Sequence, residues 1–380
     1  MKRGIQGILT KSSGVGTESY HTYYPNALPP KIDYSEIQKS LESANRAIGE
    51  LNGMVGLIPD IDIINYIYIR KEAVLSSQIE GTQSTLDDLL KYEATETAGI
   101  PIDDVAEVSS YVAAMNYGLK RLDKLPLSLR LIREIHKVLL TNSRGKNKTP
   151  GEFRTSQNWI GGTRPGNARF VPTSPDKLIS ALGTLEKFMN DDDDIPELVR
   201  AALIHHQFET IHPFLDGNGR MGRLLVTFYL TTRGFLNSPY LYLSLFFKKH
   251  RNLYYDYLNN VRLDGDWESW LNFFLEGVAE TAVDAKDTLV KIRNIFQRDE
   301  TRVAELGRST PTAMKVLRQF QKKPMLKIGE ILDKTNLTRP TVISAVRRLI
   351  ELGVLAPLSE QKWGQTYVYK NYVDALNPHD

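Results

Sequence analysis

The sequence predicts a mainly α-helical chain that closes with a small unit carrying a two-stranded sheet. Three observations predict it. Apolar residues recur at helical spacing through most of 35–142 and 196–297. One Gly- and Pro-rich stretch, 143–175, breaks that pattern and reads as a long loop holding a short hairpin. From 308 onward the charge balance changes and two helical segments are followed by two strand-like runs. At roughly 150 residues per domain, 380 residues allow two or three domains.

Residues 1–35 are rich in Gly, Ser, Thr, Tyr and Pro and have no helical period, so an irregular surface arm is expected. Ser35-Glu36-Ile37-Gln38 then offers an N-cap and an acidic first turn. A second helix is expected over 60–80, stopped by Gly81 at its C′ position. Two more follow over 101–142. Pro126-Leu127-Ser128-Leu129 opens the later one, with Leu129, Ile132, Ile135 and Leu139 on its buried face. The four-Asp run at 191–194 reads as a solvated turn. Helices are expected over 196–211, with Ala201, Ile204, Phe208 and Ile211 inward, and over about 219–233, with Met221, Leu224, Leu225 and Phe228 inward. Two further helices are expected over 246–262 and 267–297.

Composition excludes several classes. Hydrophobic residues at 41% and charged residues at 24% belong to a globular chain and exclude a disordered or collagen-like one. The absence of Cys excludes disulfide scaffolds, thiol nucleophiles and Cys-zinc sites. A net charge of +3 is too mild to require nucleic acid. No apolar run approaches the roughly 20 residues that span a bilayer. The first residues begin like a signal peptide, but Lys11 interrupts them before an apolar region forms, so a cytoplasmic protein is expected.

The chemistry concentrates in His212-Pro213-Phe214-Leu215-Asp216-Gly217-Asn218-Gly219-Arg220-Met221-Gly222-Arg223, between two expected helices. Gly217 and Gly219 let the backbone turn tightly against a ligand. The helix starting near Gly219 points free N–H groups back at the loop, which suits an anion. Arg220 and Arg223, three apart, are neighbours on the helix surface and suit phosphate. Asp216 suits Mg²⁺, and His212 suits a general base near neutral pH.

Other readings of the same residues fare worse. The G-x-G-x-x-G string of dinucleotide folds is present at 217–222, but it follows a helix rather than a strand. An EF-hand beginning at Asp216 would need Gly and Glu where Met221 and Thr227 stand. His205, His206 and His212 lack zinc-ligand spacing. A plain helical corner with a core histidine does not ask for two Gly, two Arg and an Asp.

These residues resemble the Fic family signature, H-x-F-x-[DE]-G-N-G-R-x-x-R, at all nine defined positions. The resemblance extends over roughly 35–280. It implies a Fic helical core with a β-hairpin flap and transfer of AMP from ATP to a Ser, Thr or Tyr hydroxyl of a target protein or of the chain itself. By position, His212 would deprotonate that hydroxyl and Asp216 would hold Mg²⁺. Gly217, Asn218 and Gly219 would cradle the anion, and Arg220 and Arg223 would grip the outer phosphates. Phe214 would pack the loop from below. The hairpin near 157–172 resembles the family flap, with Ile160, Gly161, Gly162 and Thr163 facing the target segment. Tyr254 and Tyr255 stand where relatives contact adenosine, although plain helix packing accounts for them equally well. Transfer of UMP or phosphocholine stays open, since the motif fixes phosphate chemistry better than the nucleoside. The family's frequent dimers make a homodimer a candidate assembly.

Ser76-Ser77-Gln78-Ile79-Glu80-Gly81 forms a second constellation. Ser76 and Glu80 share a helix face, and Glu80 sits at a helix C-terminus, where the dipole disfavours a carboxylate. Taken alone, Glu80 reads as a solvent-facing residue. Beside the Fic motif, the string resembles the family's inhibitory-helix motif, [ST]-x-x-x-E-[GN]. That resemblance implies that Glu80 pairs with Arg223 in place of the γ-phosphate, and it leaves AMP removal at the same site open.

Residues 308–380 carry 12 Lys and Arg against 6 Asp and Glu, an excess of +6 that leaves the remainder at −3. A short helix over 328–333, a turn at Asn336-Leu337-Thr338, and a longer helix over 338–352 come first. Val342, Ala345, Val346, Leu349 and Ile350 face inward on the longer helix, which Gly353 ends. Val354-Leu355 and Thr366-Tyr367-Val368-Tyr369 read as two strands. The order resembles the winged helix-turn-helix family. Arg339, Arg347, Arg348 and Lys362 are the candidate DNA contacts, against a dimer- or substrate-docking module. The expected division is an N-terminal region over 1–105 with the inhibitory motif, a catalytic core over 106–300 and a winged unit over 308–380. A DNA-binding regulator that senses nucleotide without turnover is the alternative function.

Overall fold

The structure is a computed structural model that describes residues 3–13, 19–58, 60–95, 102–358 and 365–376. It is mainly α-helical, as expected, but it begins with a hairpin rather than an irregular arm. β1 (Gly7–Ser13) and β2 (Ser19–Pro25) pair antiparallel from Gly7↔Pro25 to Ser13↔Ser19. The strands are fixed from afar: the Tyr23 N–H donates to the Val171 carbonyl at 3.1 Å, and its hydroxyl donates to the Arg262 carbonyl at 3.2 Å. No local period announces such contacts.

α1 (Tyr34–Val55) is capped by Asp33, whose carboxylate accepts from the Ser35 N–H at 3.0 Å, so Asp33 takes the capping place expected of Ser35. α2 (Ile61–Ile79) is capped by Asp60 and ends at Glu80, with Gly81 following at φ +101°. It is buried on most sides, including Glu72, Ser76 and Ser77, so it runs through the core. α3 (Leu86–Thr95), α4 (Ile102–Leu122) and α5 (Leu129–Leu139) follow. The Ser128 side chain caps α5, whose buried face holds Ile132, Ile135, His136 and Leu139, while Leu129 is half-buried.

After the 143–175 stretch come α6 (Pro175–Asn190), α7 (Glu197–Ile211) and α8 (Asn218–Thr232). The turn before α7 is exposed at Asp192, Asp193 and Asp194, as expected, and two of its carboxylates also find cations. Asp193 pairs with the buried Arg200 guanidinium, and Asp192 with Arg233 at 2.9 Å. α7 is buried from Leu198 to Ile211 rather than on one face, because it lies between α8, α6 and α11 (Trp267–Ala304). The helix expected over 246–262 breaks at His250 into α9 (Ser244–Lys249) and α10 (Arg251–Asp264). α11 runs 38 residues, past the expected end at 297, and packs along α1.

The C-terminal unit is a winged helix: α12 (Thr310–Lys322), β3 (Met325–Lys327), α13 (Ile328–Thr335), α14 (Arg339–Glu351), β4 (Ala356–Pro357), β5 (Thr366–Val368) and α15 (Lys370–Leu376). Its sheet has three strands in the order β3-β5-β4, where two were expected, because a three-residue strand is too short to show a period. The first wing strand falls at Ala356–Pro357 instead of Val354-Leu355, and Ile350 packs against the core while staying half-buried. The unit docks on the helices before it. The Tyr369 hydroxyl donates to the buried Asp299 of α11 at 2.8 Å, and Lys322 pairs with Asp60, the cap of α2, at 2.5 Å.

Candidate active site

α7 and α8 are joined by the loop 212–217, and the geometry of that loop is fixed from three sides. His212 is the C-cap of α7 at φ +52°, a left-handed conformation rare outside Gly. From one side, Arg154 donates through Nε to the His212 carbonyl at 2.9 Å, and Asn158 donates to the Phe214 carbonyl at 2.9 Å. From below, Phe214 is fully buried and stacks on His136, with ring centroids 3.6 Å apart. From within, the Asn218 side chain accepts from the Phe214 N–H and donates to the Phe214 carbonyl, both at 2.8 Å. Asn218 therefore closes the loop with its side chain, and only its backbone belongs to the expected cradle.

His136 was not singled out in the sequence, yet it supports the loop. Its Nδ1 accepts from the Gly151 N–H at 2.9 Å, which leaves Nε2 to donate to the Asp216 carbonyl at 2.9 Å. Burial pushes it down to about 4, so it is neutral at pH 7. Its position on the apolar face of α5 was the available signal.

Above the loop, Gly217 stands at φ +77° as the N-cap of α8, and the free N–H groups of that helix face a cavity of about 310 Å³. His212, Asp216 and Gly219 line it. The His212 ring is about one-fifth exposed there. Burial first, then Arg262 and Arg154, push its pKa down to about 4. Its Nδ1 lies 3.3 Å from the Glu209 carbonyl oxygen and 3.8 Å from a Glu209 carboxylate oxygen. Burial pushes Glu209 itself up to about 7, and its Oε1 has no hydrogen-bond partner.

The two motif arginines are neighbours in sequence, but the structure gives them separate partners. Arg220 is buried, with Nη1 2.7 Å from Glu107 and Nη2 3.4 Å from Asp216. Arg223 donates through Nε to the Ser76 hydroxyl at 2.8 Å, and through Nη2 to the Ser76 carbonyl at 3.0 Å and to Glu80 Oε1 at 2.7 Å. Glu80 and Arg223 press against Gly219: a Cβ there would stand 2.4 Å from Glu80 Oε1 and 3.0 Å from Arg223 Nη1. Burial raises the Glu80 pKa, but Arg223 outweighs it and holds the carboxyl below its usual range, hence ionised.

The expected flap hairpin is reduced to a single bridge, Ile160↔Phe170, with N–H to carbonyl distances of 2.8 and 3.1 Å. Gly161 and Gly162 both turn at φ +71°, and Thr163 N–H donates to Asn167 Oδ1 at 3.0 Å. Ile160 and Gly161 overlook a second cavity of about 460 Å³, whose opposite wall includes Tyr254, Tyr255, Asn259 and Arg262. Tyr254 is fully buried and its hydroxyl meets His205 Nε2 at 2.8 Å, while Tyr255 is half-buried. In the winged unit Arg339, Arg347 and Arg348 are exposed on α14; Lys362 lies outside the described residues.

The described residues contain no cluster of three or more acidic or histidine side chains that could hold a metal. Asp216 is 39% exposed beside the α8 N-terminus. Mg²⁺ commonly takes one or two carboxylates and completes its shell with phosphate and water, so a single acid beside an anion cradle fits that ion.

Residues 126–230, which hold this loop, its two helices and the flap, match the Fic/DOC family. The chain carries a Fic domain. Residues 38–120 match the Fic/DOC family N-terminal region, and 310–356 match the winged helix-turn-helix DNA-binding family. Over 247 residues this chain is 29% identical to "Protein adenylyltransferase Fic" of Drosophila yakuba, covering 64% of this chain and 46% of that protein. It thus spans under half the length of the curated relatives it matches. A Fic family protein from Desulfovibrio desulfuricans G20 shares the fold over 90% of this chain and 98% of its own, with TM-score 0.58 and 18% identity. A Fic domain containing signaling protein from Bacteroides thetaiotaomicron shares it over 66% and 96%, with TM-score 0.54 and 20% identity. No helix among the described residues is long and apolar enough to cross a membrane.

Proposed function

We propose that this chain is a protein adenylyltransferase that moves AMP from ATP to a Ser, Thr or Tyr hydroxyl of a target protein, itself included, and that Glu80 restrains it by occupying Arg223. The observation that carries the reading is the Arg223 guanidinium clasped by Ser76 and Glu80 at the mouth of an anion-binding helix start. A buried arginine aimed at such a cradle suits a phosphate, and a carboxylate is its natural stand-in.

In this reading His212 keeps its proton on Nδ1, toward the Glu209 carbonyl, which leaves Nε2 as the acceptor. The target oxygen bonds to the α-phosphorus and gives its proton to Nε2. The bond from the α-phosphorus to the bridging oxygen breaks, and its electron pair leaves with diphosphate. The N–H groups of Asn218 and Gly219 at the start of α8 receive the developing charge, joined by that of Gly217, the N-cap, once it leaves Asp216 Oδ1, to which it donates at 2.6 Å. Asp216 would hold Mg²⁺, which when bound neutralises phosphate charge. Arg223 grips the outer phosphate once Glu80 leaves it, and Arg220, fixed by Glu107, faces the 310 Å³ cavity that Glu80 also lines. Ile160, Gly161, Gly162 and Thr163 align the target main chain by strand addition. Tyr255 offers its ring to the nucleoside, while Tyr254 supports that wall through His205. In this division 1–105 supplies the restraint, 106–300 the chemistry and 308–380 the docking.

The exposed arginines of α14 favour a second, compatible activity, DNA binding by the winged unit. A gel shift that weakens steeply with salt, and that Arg347→Ala makes weaker and less salt-dependent, tests it. The transfer reading is tested with α-labelled ATP and Mg²⁺ on wild type, Glu80→Gly and Glu80→Gly/His212→Ala. Label that appears in the single variant and vanishes in the double supports it; equal label in all three contradicts it.

A further inference from the structure

Arg144 stands outside the motif, on the loop after α5, and it lines the 310 Å³ cavity beside Asp216, Gly217 and Gly219. The arginines of this region differ sharply in exposure. Arg220 and Arg223 are 4% and 2% exposed, and Arg144 is 53% exposed. Its guanidinium is held by two acids, with Nε donating to Glu107 Oε2 at 3.2 Å and Nη2 3.7 Å from Asp104 Oδ1, while half of the side chain stays exposed. The other oxygen of Glu107 faces Arg220 at 2.7 Å. One buried carboxylate therefore positions two guanidiniums on the same side of the anion cradle.

The loop that carries Arg144 is built tightly against the site. A Cβ at Gly145 would stand 2.6 Å from Asp216 Oδ2, so the backbone passes directly over the acid proposed to hold the metal. The Ser143 hydroxyl accepts from the Gly145 N–H at 3.2 Å, and the Lys146 N–H donates to the Ser143 carbonyl at 3.0 Å. Such a turn presents its side chain in a fixed place. A plain exposed ion pair would contribute little to stability, and Glu107 already has Arg220 as its counterion. A guanidinium at the rim of a phosphate cavity is instead suited to bidentate contact with phosphate oxygens.

We infer that Arg144 is a third phosphate-binding arginine, which contacts the outer phosphates of the nucleotide and holds the diphosphate as it leaves. The inference rests on the nucleotidyl-transfer reading. In that reaction the electron pair released from the α-phosphorus bond ends on a diphosphate oxygen, and Arg144 offers N–H donors to that charge at the open side of the site.

The test compares Arg144→Ala and Arg144→Lys in the Glu80→Gly background, by titrating each with ATP, AMP and inorganic diphosphate in the presence of Mg²⁺. The expected result is a loss of about tenfold in ATP and diphosphate affinity for Arg144→Ala, with AMP affinity and thermal midpoint unchanged and partial recovery in Arg144→Lys. Equal affinities for all ligands in all variants would overturn the inference. So would a parallel loss for AMP together with a lowered midpoint, which marks a structural residue. Because binding is read directly, the outcome is separate from turnover: absent label with the expected binding pattern would defeat the transfer reading and leave Arg144 as a phosphate ligand.

Discussion

Arg223 Nη2 and Glu80 Oε1 meet at 2.7 Å although 143 residues separate them in the sequence. The contact joins the end of α2 to the first turns of α8, and Ser76, one turn before Glu80, receives the Arg223 Nε at 2.8 Å. The helix that carries the proposed restraint is thus fastened by two residues of one face. A carboxylate 35% exposed at the cavity is the part that ATP can displace, while Ser76 is fully buried and stays with the arginine.

Ser76→Ala is predicted to weaken the restraint less than Glu80→Gly does. It leaves the Glu80 pair in place but strips the buried Arg223 Nε of its acceptor, at a cost of about 1–3 kcal/mol. Autolabelling intermediate between wild type and Glu80→Gly, with a lowered thermal midpoint, is the expected outcome. Activity above that of Glu80→Gly would show that Ser76, and not Glu80, holds the restraint.

The pH dependence of transfer follows from His212. A base pushed down to about 4 by burial and by Arg262 and Arg154 stays neutral through pH 5–8. Glu80 raises the His212 pKa, so its removal moves the acid limb lower still. Label transfer by Glu80→Gly is predicted to hold its rate down to about pH 5, and a midpoint near 6.5 in the pH–rate profile would contradict this.

Stability is predicted to fall on acidification from about pH 6.5 toward 4. His136, His205, His206 and His212 are all buried neutral with depressed pKa values, so the unfolded chain binds their protons first. Glu72 and Glu209, raised to about 7 by burial, act oppositely: the stability they contribute is complete below their unfolded pKa and is lost as pH rises through 7. Four histidines against two carboxylates give a thermal midpoint lower at pH 5 than at pH 7. An unchanged or higher midpoint at pH 5 counts against this balance.

Two glycines separate packing from backbone freedom. A Cβ at Gly222 would stand 2.4 Å from Glu209 Oε1 and 3.3 Å from the Phe208 ring, so Gly222→Ala is predicted to cost about 1–3 kcal/mol. Gly183, on α6, has no atom within 4 Å of the same position, and Gly183→Ala is predicted to stabilise by about 0.5–1 kcal/mol. Chemical denaturation of the two variants measures both, and equal effects would contradict the prediction.

Much of the site was readable because it is local. The 212–223 string lies between two helices whose apolar spacing is regular, and Ser76 and Glu80 declare their shared face by being four apart. The residues that fix the loop were not readable, because they act through distance. His136 is an ordinary member of a helix face until it stacks on Phe214, and Arg154 reaches the His212 carbonyl across 58 residues. Glu107 gives no sign in sequence that it faces Arg220. The N-terminal hairpin escaped for the same reason: Tyr23 is held by Val171 and Arg262, and the Gly and Ser around it hide the strand pattern. The motif does not declare that the Asn218 side chain closes its own loop, because that task depends on the Phe214 backbone folding back onto it.

The most direct test of the restrained transferase is incorporation of α-labelled AMP by Glu80→Gly against Glu80→Gly/His212→Ala, with wild type alongside and cell lysate as target. The account predicts faint label in wild type, strong label in Glu80→Gly and none in the double variant. Label in wild type equal to that in Glu80→Gly, or label that survives loss of His212, would contradict it.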